Sequence, residues 1–121
     1  MTIAYWIVAG TLAAAFLGAS LFKLVTPKDG LRDKGMAWVD EFSPAGVKGI
    51  AAAELAGAVG LILPPATGIA PVLAPLAAIG LLVTMAGATR VHARRGEPLA
   101  PTLVLGALAA VAAVLGFLVW L

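Results

Sequence analysis

VKGIAAAELAGAVGLIL, residues 47–63, decides the fold. Apart from Lys48 at its start and Glu54 in its interior, the stretch is apolar or glycine. It shows no alternation of polar and apolar positions, so it does not read as a barrel strand. A helix rises 1.5 Å per residue, and about 17–25 mostly apolar residues cross the hydrocarbon of a bilayer. The stretch reads as one such span, closed by Pro64-Pro65.

Three more spans lie on either side of it. Ile3–Val25 precedes it and is closed by Pro27, while Pro71–Val91 and Thr102–Leu121 follow. The first run has no positive segment ahead of it and is too long for a cleaved signal peptide, so it reads as a permanent helix. Hydrophobic residues make up 62% of the 121 and charged residues 12%, against about 45–50% and about 25% in soluble domains. So few charges do not cover a water-facing surface. Lipid tolerates helices and closed barrels as spanning structures. The expected fold is therefore all-α: one integral membrane domain over residues 1–121, a four-helix bundle in up-down-up-down order.

Charge sets the expected orientation. Lys23, Lys28, Arg32, Lys34 and Lys48 lie in or beside the loop 26–46, and Arg90, Arg94 and Arg95 lie in or beside the loop 92–101. These are all eight Lys and Arg of the chain; the loop 64–70 and both termini have none. Positive loops stay in the cytoplasm, which predicts both termini outside. Trp6 and Trp120 suit an aromatic belt on that outer face. In the long first loop, Trp38 and Phe42 are four apart, on one face of a helical turn. That loop reads either as an interfacial segment anchored by its aromatics or as a lid folded under the bundle. Small residues recur about every four positions, at Gly10, Ala14 and Gly18, at Gly49, Ala53 and Gly57, at Gly80, Thr84 and Gly87, and at Gly106, Ala110 and Ala113. Such stripes let helices approach closely.

The ionisable residues inside the spans carry the functional signal. Glu54 lies about 10 Å along its helix from the cytoplasmic surface at 1.5 Å per residue. A carboxylate at such depth costs on the order of 2.5–3.5 kcal/mol on insertion scales, so it must be protonated, paired or hydrated through a cavity. Lys23, one turn inside the first span, either snorkels outward or turns toward Glu54. Ser20 stands three residues before it, Lys48 opens the second span, and Arg90 and His92 end the third. Together with Asp40 of the loop, these side chains converge on one end of the bundle. The functional reading is a polar pocket facing the cytoplasm and roofed by the loop with Trp38. The plainer reading is a buried Lys23–Glu54 bridge plus charges that set topology.

Several chemistries are excluded. There is no cysteine, hence no disulfide framework, thiol relay or thiolate metal site. The one His stands in no cluster with metal-ligand spacing, so no metal is expected. No phosphate-cradling glycine loop and no Ser–His–Asp set can be assembled. A net charge of +2 argues against nucleic acid as a partner.

Three motifs taken together carry a family resemblance: Gly18-Ala19-Ser20-Leu21-Phe22-Lys23-Leu24 closing the first span, Lys48-Gly49-Ile50-Ala51-Ala52-Ala53-Glu54 opening the second with Gly60-Leu61-Ile62-Leu63-Pro64 after it, and His92 after the third. In their order and spacing the chain resembles the DoxX-like family of small four-helix bacterial membrane proteins. The family takes its name from similarity to a subunit of thiosulfate:quinone oxidoreductase. The resemblance implies a multi-pass protein of the bacterial inner membrane and places Lys23 and Glu54 on the family's Lys and Glu positions. It also implies a quinone-facing subunit or partner of a redox system. With no catalytic set in the sequence, any catalysis would need an external cofactor or partner; no covalent cofactor is expected, and quinone or lipid is the expected ligand. The expected pocket residues are Lys23, Glu54, Arg90, His92, Ser20, Lys48 and Trp38. The expected partners are membrane lipid and either a redox protein or a second copy of the chain. A small proton-coupled exporter and a non-catalytic assembly factor are the alternatives.

Overall fold

The computed structural model describes residues 1–121, and every regular element in it is a helix. Four are long and apolar enough to cross a membrane: α1 (Thr2–Val25), α3 (Pro44–Thr67), α4 (Leu73–Arg94) and α5 (Ala100–Trp120), with mean hydropathies of 1.8, 1.6, 1.5 and 2.6. A fifth and shorter helix, α2 (Lys28–Asp33), and a 3-10 turn (Ala37–Glu41) occupy the first loop.

The second span corrects the sequence reading. Pro64 and Pro65 lie inside α3, which continues to Thr67 and ends on Gly68 in the left-handed conformation (φ 74°). A proline removes the N–H that would bond to the carbonyl four residues earlier. For Pro65 that carbonyl belongs to Leu61, and the Tyr5 hydroxyl of α1 donates to it at 2.6 Å. A donor from another helix thus takes the place of the missing amide, and the helix survives its prolines. The other ends shift by smaller amounts. At its start α3 reaches back to Pro44, with the Ser43 hydroxyl accepting from the Gly46 amide. α4 starts at Leu73 rather than Pro71 and runs on to Arg94. α5 starts at Ala100, with Pro101 in its first turn, where no intrahelical partner is needed for the missing N–H.

Named contacts fix how the long helices are arranged. Tyr5 reaches Leu61 while Lys23 reaches Glu54, so α1 and α3 run antiparallel. The pairs Gly57–Leu81 and Gly60–Ala77 do the same for α3 and α4. Met85 against Gly106 and Pro75 against Gly116 align α4 with α5. Tyr5 and Trp6 meet Trp120 edge to face at 5.4 and 5.8 Å, which closes α5 back onto α1. The core between the four is built from Tyr5, Leu12, Phe16, Leu61, Leu81 and Met85 with many alanines. Large apolar side chains such as Ile3, Ile7, Leu63, Val83, Val104 and Leu118 are exposed around the outside. In water such a surface would drive aggregation; against lipid tails it is the matching solvent.

The small-residue stripes divide. A side chain at Gly57 would lie 2.6 Å from Leu81, and one at Gly60 would lie 2.8 Å from Ala77. Gly10, Gly18, Gly49, Gly80 and Gly87 have nothing within 4 Å. Of the expected stripes, the one on α1 therefore faces away from the bundle, and Gly57 alone of its stripe packs against α4.

The first loop is a folded unit. Leu31 and Val39 of the loop and Val47 of α3 are fully buried under Phe22 of α1 and Met36, Trp38 and Phe42 of the loop. Arg32 ties the loop together, at 3.1 Å from Asp29 and 2.7 Å from Asp40. The Asp40 carboxylate, by hydrogen bond and charge, raises the Arg32 pKa above its ordinary value. Asp40 is thus engaged with Arg32 within the loop rather than with the residues inside the spans.

Candidate functional site

The last turn of α1 and the third turn of α3 lie side by side because the two helices are antiparallel neighbours. That places the Lys23 ammonium 2.8 Å from Glu54 Oε1. The side chains are 12% and 3% exposed, so the pair is nearly withdrawn from solvent on both sides. Two buried charges in such a medium are tolerated when each neutralises the other. The Lys23 ammonium also stands 5.4 Å from the Trp38 ring centroid, within cation–π range.

The pair lies in the wall of a cavity of about 540 Å³. Phe16, Ile50, Val83, Met85 and Leu105 form apolar walls. Lys23, Glu54, His92, Arg94 and Thr102 supply the polar groups, and Trp38 and Phe42 come from the loop. Trp38 packs edge to face on Phe42 at 6.0 Å and on His92 at 6.4 Å. The 3-10 turn therefore folds against the end of α4, and the lid reading of this loop describes its position. His92 Nδ1 is 2.9 Å from Glu97 Oε1, and Arg95 lies between Glu97 and Glu41 at 3.4 and 3.8 Å. These contacts tie the lid, α4 and the loop before α5 into one charged edge.

Of the residues singled out from sequence, the cavity wall brings together Lys23, Glu54, His92 and Trp38. Ser20, Lys48 and Arg90 stand elsewhere. The Ser20 hydroxyl is fully buried and donates to the Leu17 carbonyl at 3.1 Å, satisfied within its own helix. The Lys48 ammonium donates to the carbonyls of Lys23, Leu24 and Thr26 at 2.5, 3.1 and 2.5 Å. It caps the end of α1, where unpaired carbonyls and the helix dipole favour a cation. Arg90 is exposed on the outer side of α4. Arg94, one turn further along α4, takes the place expected of Arg90 at the cavity. Thr102 was also missed; its hydroxyl accepts from Thr89 at 2.8 Å, and both threonines look unremarkable inside apolar runs. No group of His, Asp and Glu in the structure has the arrangement of a metal site.

The DoxX-like family model matches residues 7–118. The chain belongs to the DoxX-like family. The match leaves out six residues at the start and three at the end of the 121, so in this DoxX-like chain every residue of the cavity wall falls within the family region. No curated protein and no solved structure matches it significantly. A DoxX-like multi-pass membrane protein with four spans is what the family and the helices together establish.

Proposed function

We propose that this DoxX-like protein is a membrane subunit or partner of a quinone-linked redox system, and that its cavity takes a small amphipathic ligand near the cytoplasmic side. The observation that carries this reading is a buried ion pair set in the wall of a mostly apolar cavity. A volume of about 540 Å³ lies within the range of roughly 300–1,000 Å³ usual for small-molecule sites, which join apolar walls to a few placed polar groups. Placing the loops 26–46 and 92–101 inside follows from every Lys and Arg lying in or beside them. The bacterial inner membrane is the setting that the family implies.

The proposed role is non-catalytic by itself: the chain holds the ligand, and a redox partner or second copy supplies the electron chemistry. The exporter reading is weakened by the pairing of Glu54. A carboxylate held at 2.8 Å by Lys23 is already neutralised, whereas a coupling site must release its counter-charge in each cycle. The test is purification in mild detergent followed by solvent extraction and mass spectrometry. The expected result is an amphiphile smaller than a phospholipid in near-stoichiometric amount, reduced in a Glu54→Gln variant. Bulk phospholipid alone in the extract would overturn the reading.

A further inference from the structure

The hydrogen-bond inventory of Glu54 is incomplete in an informative way. The residue is 2% exposed. Its Oε1 accepts from Lys23, and Oε2 accepts from no group of the protein. Oε2 is also not among the fully occluded atoms that lack a partner, and Glu54 lines the cavity; the free oxygen therefore opens on that space. An ionised carboxylate is an acceptor only. The cavity thus presents a buried acceptor that demands a donor from whatever occupies it. Beside it, Lys23 spends one of its three N–H groups on Oε1, which leaves donors for an acceptor at the same point.

An adjacent free acceptor and free donor match a hydroxyl, which donates and accepts through one oxygen. A carbonyl satisfies Lys23 but turns its lone pairs toward Oε2. A carboxylate head does the same and adds like-charge repulsion. The Trp38 ring stands 5.4 Å from the Lys23 ammonium at this end of the cavity, with Phe42 packed edge to face on it, so a flat aromatic head finds aromatic neighbours there, and most of the remaining wall is apolar. Resting on the function proposed above, we infer that the site selects the hydroxyl-headed form of an aromatic amphiphile, the hydroquinone class, over the carbonyl-headed quinone of the same skeleton. A hydroxyl donating to a carboxylate forms a short, charge-assisted bond roughly twice as strong as a neutral one. An analogue unable to donate leaves a buried acceptor unpaired.

The test uses the full chain in nanodiscs under anaerobic conditions, with a decyl-hydroquinone, the matching decyl-benzoquinone and the dimethyl ether of the hydroquinone as probes. Affinities are read from ligand-dependent thermal stabilisation. The hydroquinone is expected to bind at least about fivefold more tightly than either of the others, a modest share of what a site built around a hydroxyl can discriminate. A smaller ratio, or an ether that binds as well as the hydroquinone, overturns the inference while binding of all three leaves the amphiphile site standing. Failure of every probe to bind overturns both. In Glu54→Gln the amide adds a donor at the same point, and the preference should fall to about twofold or less. If that variant keeps the full preference, Glu54 is not the discriminating group. If it does not fold, the three-probe comparison on the native chain still decides.

Discussion

Two single residues carry unusual weight, and in both cases the reason is a polar group that apolar surroundings cannot satisfy. Glu54→Ala removes the only counter-charge of Lys23, whose side chain is 12% exposed. Breaking a buried pair from one side costs about 3–5 kcal/mol, whereas replacing both partners by apolar residues is often neutral. The expectation is a clear loss of thermal stability in detergent for Glu54→Ala and recovery of most of it in Lys23→Met/Glu54→Leu. Equal losses in the single and double variants would show that the pair contributes more than mutual neutralisation. Tyr5 poses the same question at the other end of the molecule. Tyr5→Phe leaves the Leu61 carbonyl without its 2.6 Å donor, at a cost of about 1–3 kcal/mol for a buried unpaired group. In a Pro65→Ala background the restored amide serves Leu61 directly, and the same substitution should cost markedly less. A double-mutant cycle by thermal unfolding measures that coupling.

Among the helices, close approach depends on which glycines face a neighbour. A side chain at Gly60 would meet the Ala77 methyl at 2.8 Å. A methyl on so short a stem has no rotamer to escape into, so α3 and α4 must separate. Gly60→Ala is expected to destabilise by about 1–3 kcal/mol, as overpacking does. Gly18→Ala, with nothing within 4 Å, should leave the melting temperature unchanged or slightly raised. Both are read by thermal shift in the same detergent. The spacing of small residues in the sequence is alike on α1 and α3. Only the rotation of each helix about its axis separates a packing glycine from an idle one, and the partner helix sets that rotation. Helix ends show the same limit. Lys48 was legible as a charge at a span boundary, but its three bonds to the end of α1 require that α1 stop beside it.

For the molecule as a whole, the uneven distribution of Lys and Arg sets the orientation proposed. Adding two Lys to the turn 68–72 between α3 and α4, where there are no Lys or Arg, places positive charge on both sides of the bundle. The expected outcome is mixed or inverted insertion, detected by accessibility labelling at the two termini. Unchanged labelling would show that these charges do not set topology. The first loop also acts at this scale. Leu31 and Val39 of the loop pack with Val47 of α3 and hold Trp38 at the cavity, so the site is completed by a segment outside the spans.

Hydropathy and charge determined by themselves that four helices cross a membrane, which loops share a side, and that Glu54 needs a partner. Each follows from the cost of placing polar groups in hydrocarbon, a property of residues taken one at a time. That cost also made Lys23 legible as the partner, since it was the cation within reach in the adjoining span. Tertiary structure alone decided that Arg94 rather than Arg90 reaches the cavity, that Ser20 and Lys48 serve helix α1, and that α3 runs through Pro64-Pro65. Depth and rotation of packed helices, and a hydroxyl from 56 positions away, settle those points. They depend on which surfaces meet, and composition along one helix contains no record of its neighbour.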